Sequence, residues 1–234
     1  ESIGVNAAVS VSELKRLSYA VEEEDESFLT AEEEVIIPKF MQSDETEADT
    51  EKEERKDIGM QIGTAYHTVL WKFDFDNEPD RARILALLDE LKTQGTIACD
   101  VADKVSVKRL LAFKDSALYN RMSKAHRHGL LKREPPFVLG MDAKEVREDW
   151  PEGEMILVQG VIDAFFEEDG ELVVVDYKTD RVSEEDGEAV LIRRYKKQME
   201  LYAKALEQIT GKKVKAKVIY SLGLGREVEL LGEE

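Results

Sequence analysis

Asp169 and Gly170 separate two runs rich in β-branched and aromatic residues, Met155 to Glu167 and Glu171 to Lys178. An Asp-Gly pair between such runs is the strongest short-range signal of a β-hairpin. A two-residue loop there fixes the register: Glu168 faces Glu171, Phe166 faces Val173, Phe165 faces Val174, and Asp163 faces Asp176. Two carboxylates then lie across one ladder with their β carbons about 5 Å apart, an arrangement that destabilises a sheet. Both runs are apolar enough to be buried on both faces, so the repulsion needs compensation. A divalent cation supplies it, and oxygen ligands suit Mg²⁺ or Mn²⁺. Lys178, two residues beyond Asp176, projects from the same face as both acids. An ammonium beside a carboxylate-bound metal is the arrangement expected for orienting or deprotonating a water and for stabilising charge on a phosphate. A structural ion pair at a strand end is the plainer reading of the same residues.

The hairpin sits in a chain whose period changes halfway. Ser10 or Ser12 can cap a short helix carrying Leu14 and Leu17. From Ile62 to about Phe75 apolar residues recur at helical spacing, and Asp80 can cap a second helix that Gly95 ends. Ser106 and Asp115 can each cap further short helices, the second carrying Leu118, Tyr119 and Met122. Residues 130 to 140 read as an edge strand interrupted by Pro135 and Pro136, because proline cannot donate to a ladder. After the hairpin come a long helix from about Glu185 to Gln208 closed by Gly211, a strand from Val214 to Ser221, and a short one from Glu227 to Leu231. The expected architecture is an α/β sandwich with a helical N-terminal half.

Charge divides the chain differently. The formal net charge is −18 over 234 residues, yet residues 22 to 57 alone hold sixteen acids against four bases. With one short apolar patch at Val35 to Ile37, that stretch is expected to be a solvated, flexible linker between an N-terminal helical segment (1–21) and the main domain (58–234). Two stretches run the other way: residues 104 to 133 carry nine bases and one acid, and residues 193 to 217 nine bases and two acids. Each alone reads as a solvated helix face; both in one acidic chain suggest a track for a polyanion. The single cysteine, Cys99, excludes an intrachain disulfide or a four-cysteine metal site and favours a reducing setting. The longest apolar stretch is five residues, Ile84 to Leu88, so no membrane span or secretion signal is read. The chain opens on Glu1 without a methionine, as a piece of something longer would.

Gly160-Val161-Ile162-Asp163, then Asp176-Tyr177-Lys178-Thr179, with Gln198 and Tyr202 on the following helix and Gly63-Thr64-Ala65-Tyr66-His67 upstream, resembles the RecB-type branch of the PD-(D/E)XK nuclease superfamily. The resemblance runs from about residue 58 to the C-terminus, and the order and spacing of the motifs make it specific. Ser10-Val11-Ser12-Glu13-Leu14-Lys15-Arg16 is similar to the segment preceding the nuclease in AddA-type helicase-nuclease proteins. The resemblance implies the PD-(D/E)XK fold, a central mixed sheet flanked by helices. It implies a Mg²⁺-dependent (Mn²⁺ possible) deoxyribonuclease, acting as an exonuclease on single-stranded DNA within an ATP-dependent enzyme of double-strand break repair.

Carried over position by position, the resemblance implies that His67, Asp163, Asp176 and the Tyr177 carbonyl hold the metal, that Lys178 is the catalytic lysine beside Asp163 and Asp176, and that Gln198 and Tyr202 line the groove. Glu134, just before Pro135, looks like a further acid of these nucleases. Arg193, Arg194 and Lys197 are the basic residues expected on the DNA. The resemblance also implies helicase domains in the same polypeptide and an AddB-type partner, in the bacterial cytoplasm; no Walker A motif occurs here, so any ATP-driven motor is expected elsewhere in a larger protein. The four cysteines that some relatives use for an iron-sulfur cluster are lacking, so none is expected. Plainer readings stand beside these: a packed histidine on an amphipathic helix, a core tyrosine, and, for the whole, a non-catalytic DNA-binding module with a nuclease-like fold.

Overall fold

The hairpin forms as the Asp-Gly pair dictates. In the computed structural model, which describes residues 8–11, 47–146, 150 and 152–230, β5 (Ala164–Glu168) and β6 (Glu171–Lys178) pair antiparallel with Ala164 opposite Val175 and Glu168 opposite Glu171. Asp169 and Gly170 take φ of 56° and 86°, the two positive values that a type I′ turn requires.

This hairpin is the middle of a five-stranded mixed sheet. β2 (Leu131–Arg133) flanks β5, while β7 (Val214–Ser221) runs parallel to β6 and β8 (Arg226–Leu230) closes the far edge. On one face pack α1 (Glu47–Trp71), α2 (Arg81–Thr93), α3 (Cys99–Ala102), α4 (Val107–Lys114) and α5 (Ala117–Arg127), around Phe113, Tyr66 and the sheet residues Val173, Val175 and Tyr177. On the other face lies α7 (Gly187–Thr210), with Leu172 and Val174 beneath it. α7 also covers a second sheet of three strands, in which β1 (Ala8–Ser10) and β3 (Pro136–Asp142) flank β4 (Met155–Val161). A single turn, α6 (Ala143–Val146), follows β3. The architecture is α/β with a helical N-terminal half and a central mixed sheet flanked by helices, as expected.

Local chemistry accounts for most element ends. Asp80 caps α2 by accepting from Arg83 N at 2.8 Å, and Gly211, at φ 68°, ends α7. The cap of α5 is Ser116, which accepts from Tyr119 N at 3.1 Å; Asp115 instead terminates α4, a one-residue correction. Ser106 precedes α4 without a side-chain cap, and its N–H donates to the Tyr66 hydroxyl at 2.7 Å. Ser10 ends a strand, β1, that periodicity did not indicate; Leu14 and Leu17 lie outside the described residues. α1 begins at Glu47, inside the stretch expected to be linker, and residues 22–46 lie outside the described residues. Among the described residues no helix is long and apolar enough to cross a membrane.

Two expected strands are each divided between the sheets. The 130–140 run is β2 in one sheet and β3 in the other, with Glu134 at φ 49° making the turn ahead of Pro135. The Met155–Glu167 run is β4 in one sheet and β5 in the other, switching at Ile162-Asp163. The two corners bond to each other: Glu134 N donates to the Asp163 carbonyl at 2.9 Å and Ile162 N to the Pro135 carbonyl at 3.2 Å. Proline without an N–H is well placed there, since its carbonyl alone is used.

Candidate active site

β6 is buried along nearly its whole length, and its alternation sorts the residues. Val173, Val175 and Tyr177 face α1, α4 and α5, while Leu172 and Val174 face α7. Asp176 and Lys178 continue the α7-facing row, 1% and 9% exposed. An apolar row therefore ends in an acid and a base. Their ion pair, Lys178 Nζ to Asp176 Oδ2, spans 3.1 Å, and Oδ2 makes no hydrogen bond of good geometry.

Asp163 approaches from the corner between the sheets. The register would place it opposite Asp176, but the ladder stops at Ala164, and Asp163 Oδ2 accepts from the backbone N–H of Tyr177 at 2.7 Å. Its Oδ1 lies 3.0 Å from Nδ1 of His67 on α1. His67 reaches it because α1 crosses the end of β6 closely: a β carbon added at Gly63, one turn earlier, would stand 3.3 Å from Thr179 Oγ1. Glu134 and Arg133 join His67, Trp71, Asp163 and Tyr177 around one concavity. The Tyr177 side chain points away, its hydroxyl 3.8 Å from Met122 Sδ.

On α7, Tyr195 presents its ring face to Lys178, the ammonium 4.3 Å from the ring centre. The Tyr195 hydroxyl donates to buried Asp180, 2.8 Å from Oδ2, and Arg194 pairs with the same carboxylate. Gln198 Nε2 donates to the Tyr202 hydroxyl at 2.9 Å, while Gln198 Oε1 is buried without a hydrogen-bond partner. Arg193 and Lys197 lie on the exposed side of α7, so of the three expected basic contacts Arg194 alone is drawn inward. Asp180 and Tyr195 were not singled out from the sequence, although signals existed. Asp180 stands two after Lys178, and Tyr195 precedes Gln198 and Tyr202 by three and seven, one helix face.

The electrostatics separate the two acids. Burial, reinforced by Asp163 and opposed by Lys178, pushes Asp176 above the usual carboxylate range. Burial works against the charge on Asp163 too, but His67, Lys178 and the Tyr177 N–H hold its carboxyl below that range. Lys178 is carried well above an ordinary lysine: burial opposes its charge, and Asp176, Tyr195 and Asp163 more than offset that. For His67, burial lowers the pKa, yet the charge and hydrogen bond of Asp163 leave it raised. Burial, then the charge of Asp163, raises Glu134.

Among the described residues no three His, Cys, Asp or Glu side chains are gathered closely enough to enclose a metal ion. The donor set nonetheless fits a hard divalent cation: two buried carboxylates, one with an oxygen lacking any hydrogen bond, beside an imidazole. A cation there would offset the burial and the charge of Asp163 that together raise Asp176.

Residues 21–228 match the family model of the PD-(D/E)XK nuclease superfamily. The chain is similar to the ATP-dependent helicase/nuclease A-subunit of Lachnoclostridium phytofermentans, 32% identical over 230 residues, 84% of this chain and 16% of that protein. The protein of the same description from a Thermoanaerobacter species is 36% identical over 227 residues (95% and 17%), and that from Clostridium novyi 33% over 235 (98% and 18%). The chain thus spans less than a fifth of the length of these relatives. The resemblance to AddA-type proteins read from the motifs holds.

Proposed function

We propose, because this chain belongs to the PD-(D/E)XK nuclease superfamily, that it is a metal-dependent nuclease domain that hydrolyses phosphodiester bonds in single-stranded DNA. It acts as an exonuclease within an ATP-dependent helicase-nuclease of double-strand break repair in the bacterial cytoplasm. Helicase domains then lie in the same polypeptide, and the partner is an AddB-type protein. Residues 58–234 carry the nuclease unit, which α1 extends back to Glu47. The observation that carries the reading is the junction at one end of β6, where His67 meets Asp163 at 3.0 Å, the Tyr177 N–H donates to Asp163 at 2.7 Å, and Lys178 pairs with Asp176 at 3.1 Å.

Asp163, Asp176, His67 and the Tyr177 carbonyl are the groups that would hold Mg²⁺ or Mn²⁺, which when bound polarises the scissile phosphate and lowers the pKa of a bound water. Lys178 does separate work. Held well above the ordinary lysine range, it is an ammonium and a donor rather than a base. It orients the water or a phosphate oxygen and offsets the charge that grows as the bond to the leaving oxygen breaks. His67 and the Tyr177 N–H keep Asp163 ionised for its role. Gln198 and Tyr202 border the groove as uncharged hydrogen-bonding groups, burial keeping the phenol of Tyr202 protonated. Arg193 and Lys197 offer exposed charge to the DNA backbone.

Incubating this chain with end-labelled single-stranded DNA, with Mg²⁺ and with EDTA, tests the reading. Cleavage that requires the metal and is lost in Asp163→Ala is expected. A chain that binds DNA yet never cleaves it with any divalent metal would be the non-catalytic binding module instead.

A further inference from the structure

We infer that Trp71 is a stacking platform for an unpaired nucleobase next to the scissile phosphate, an inference that rests on the nuclease reading above. Trp71 is the last residue of α1 and 39% exposed. It stands four residues after His67, hence one helical turn, about 5.4 Å, further along the same face, and it lines the same concavity as His67 and Asp163. A phosphate held at His67 and Asp163 therefore places its own or the adjacent base near the ring, which lines the same concavity.

The surroundings fix the ring and supply what the acids lack. Arg133 donates through one nitrogen to the carbonyls of Trp71 at 2.6 Å and Phe73 at 2.7 Å, so the chain leaving α1 is pinned beside the site. Lys72 covers one face of the Trp71 ring, its ammonium 4.2 Å from the ring centre, so the base would stack on the opposite face with a cation beside it. Asp163, Asp176 and Glu134 repel a polyanion, so affinity at this end of the groove has to come from groups such as these. Stacking on an aromatic face is indifferent to sequence and available only to a base that has left its duplex. Trp71 thereby selects single strands at the point of chemistry.

The test measures anisotropy of a labelled oligothymidylate and of an abasic oligomer of equal length, both in EDTA. Wild type should bind the oligothymidylate more tightly. Trp71→Ala should lose about 5- to 160-fold on it, the range for base–aromatic stacking, while its affinity for the abasic oligomer stays unchanged. Trp71→Phe should retain most of the affinity, and in a Trp150→Phe background the Trp71 emission should be quenched by the oligothymidylate and not by the abasic oligomer. Equal loss on both oligomers, or loss on neither, with Mg²⁺-dependent cleavage intact in wild type, overturns the stacking role and leaves the nuclease reading standing. Wild type that neither binds DNA nor cleaves it overturns both.

Discussion

The ammonium of Lys178 stands 4.3 Å from the centre of the Tyr195 ring, and that ring is held by its hydroxyl, which donates to Asp180. The lysine is thus braced from α7 as well as paired with Asp176 along its own strand. A ring face favours the ammonium by roughly 0.5 to 2 kcal/mol, enough to fix the position of a flexible side chain.

That brace gives a first prediction. Tyr195→Leu should lower kcat for metal-dependent cleavage roughly 2- to 30-fold, the rate equivalent of the lost ring contact, with KM nearly unchanged. Tyr195→Phe, which keeps the ring and loses the hydroxyl bond, should fall between the two. A variant whose KM rises while kcat holds would place Tyr195 in substrate binding and reject the brace.

Asp176 and Lys178 respond to mutation as a pair. Facing acids alone would make removal of Asp176 a relief, but its carboxylate balances a buried ammonium. Asp176→Ala should therefore cost about 3 kcal/mol of stability, measured by urea unfolding in EDTA, as well as abolishing cleavage. Asp176→Ala with Lys178→Met should recover most of that stability and remain inactive. If the double variant is no more stable than the single one, the pair is not the source of the loss.

Glu168 supports a pH prediction. Its carboxyl receives both Nε and Nη2 of Arg121 on α5, at 3.0 and 2.9 Å, and lies 2.9 Å from Lys215 on β7. The hydrogen bond from Arg121, against a smaller opposing effect of burial and aided by Lys215, holds it at about 2 instead of the ordinary 4.5. A depressed carboxyl stabilises the fold fully above its unfolded pKa and loses that contribution as pH falls through its folded one. With solvent screening discounted, Glu168→Gln should cost about 1 kcal/mol at neutral pH. The gap to wild type should narrow steadily between about pH 4.5 and pH 2. Urea midpoints of both proteins across that range decide it; a gap independent of pH would mean that lost packing, not charge, is responsible.

Exposed Arg193 and Lys197 are predicted to meet DNA phosphates. Reversing both to Glu should flatten the plot of log affinity for single-stranded DNA against log salt by about 1.4, two contacts at the single-strand slope. An unchanged slope would make them a solvated face of α7. Arg194 is left out of that test, since its pairing with Asp180 would confound charge with the brace.

The residues around the hairpin were legible because their positions follow from local rules. Asp169-Gly170 admits few turns, the turn sets the register, and alternation then puts Asp176 and Lys178 on one face whatever else the chain does. Helix caps at Asp80 and Gly211 are local in the same way. What the sequence could not decide is where a strand changes sheets. The runs around Pro135 and Ile162 keep their β character through the switch, and the corners exist only because Glu134 N and Ile162 N find each other's chain about thirty residues away. That switch turns Asp163 out of the ladder and toward His67. Likewise the approach of α1 to Thr179, the Tyr195 brace and the exposure of Trp71 depend on how separate elements pack. Such contacts join residues far apart in the chain, and no period or spacing in one segment encodes them.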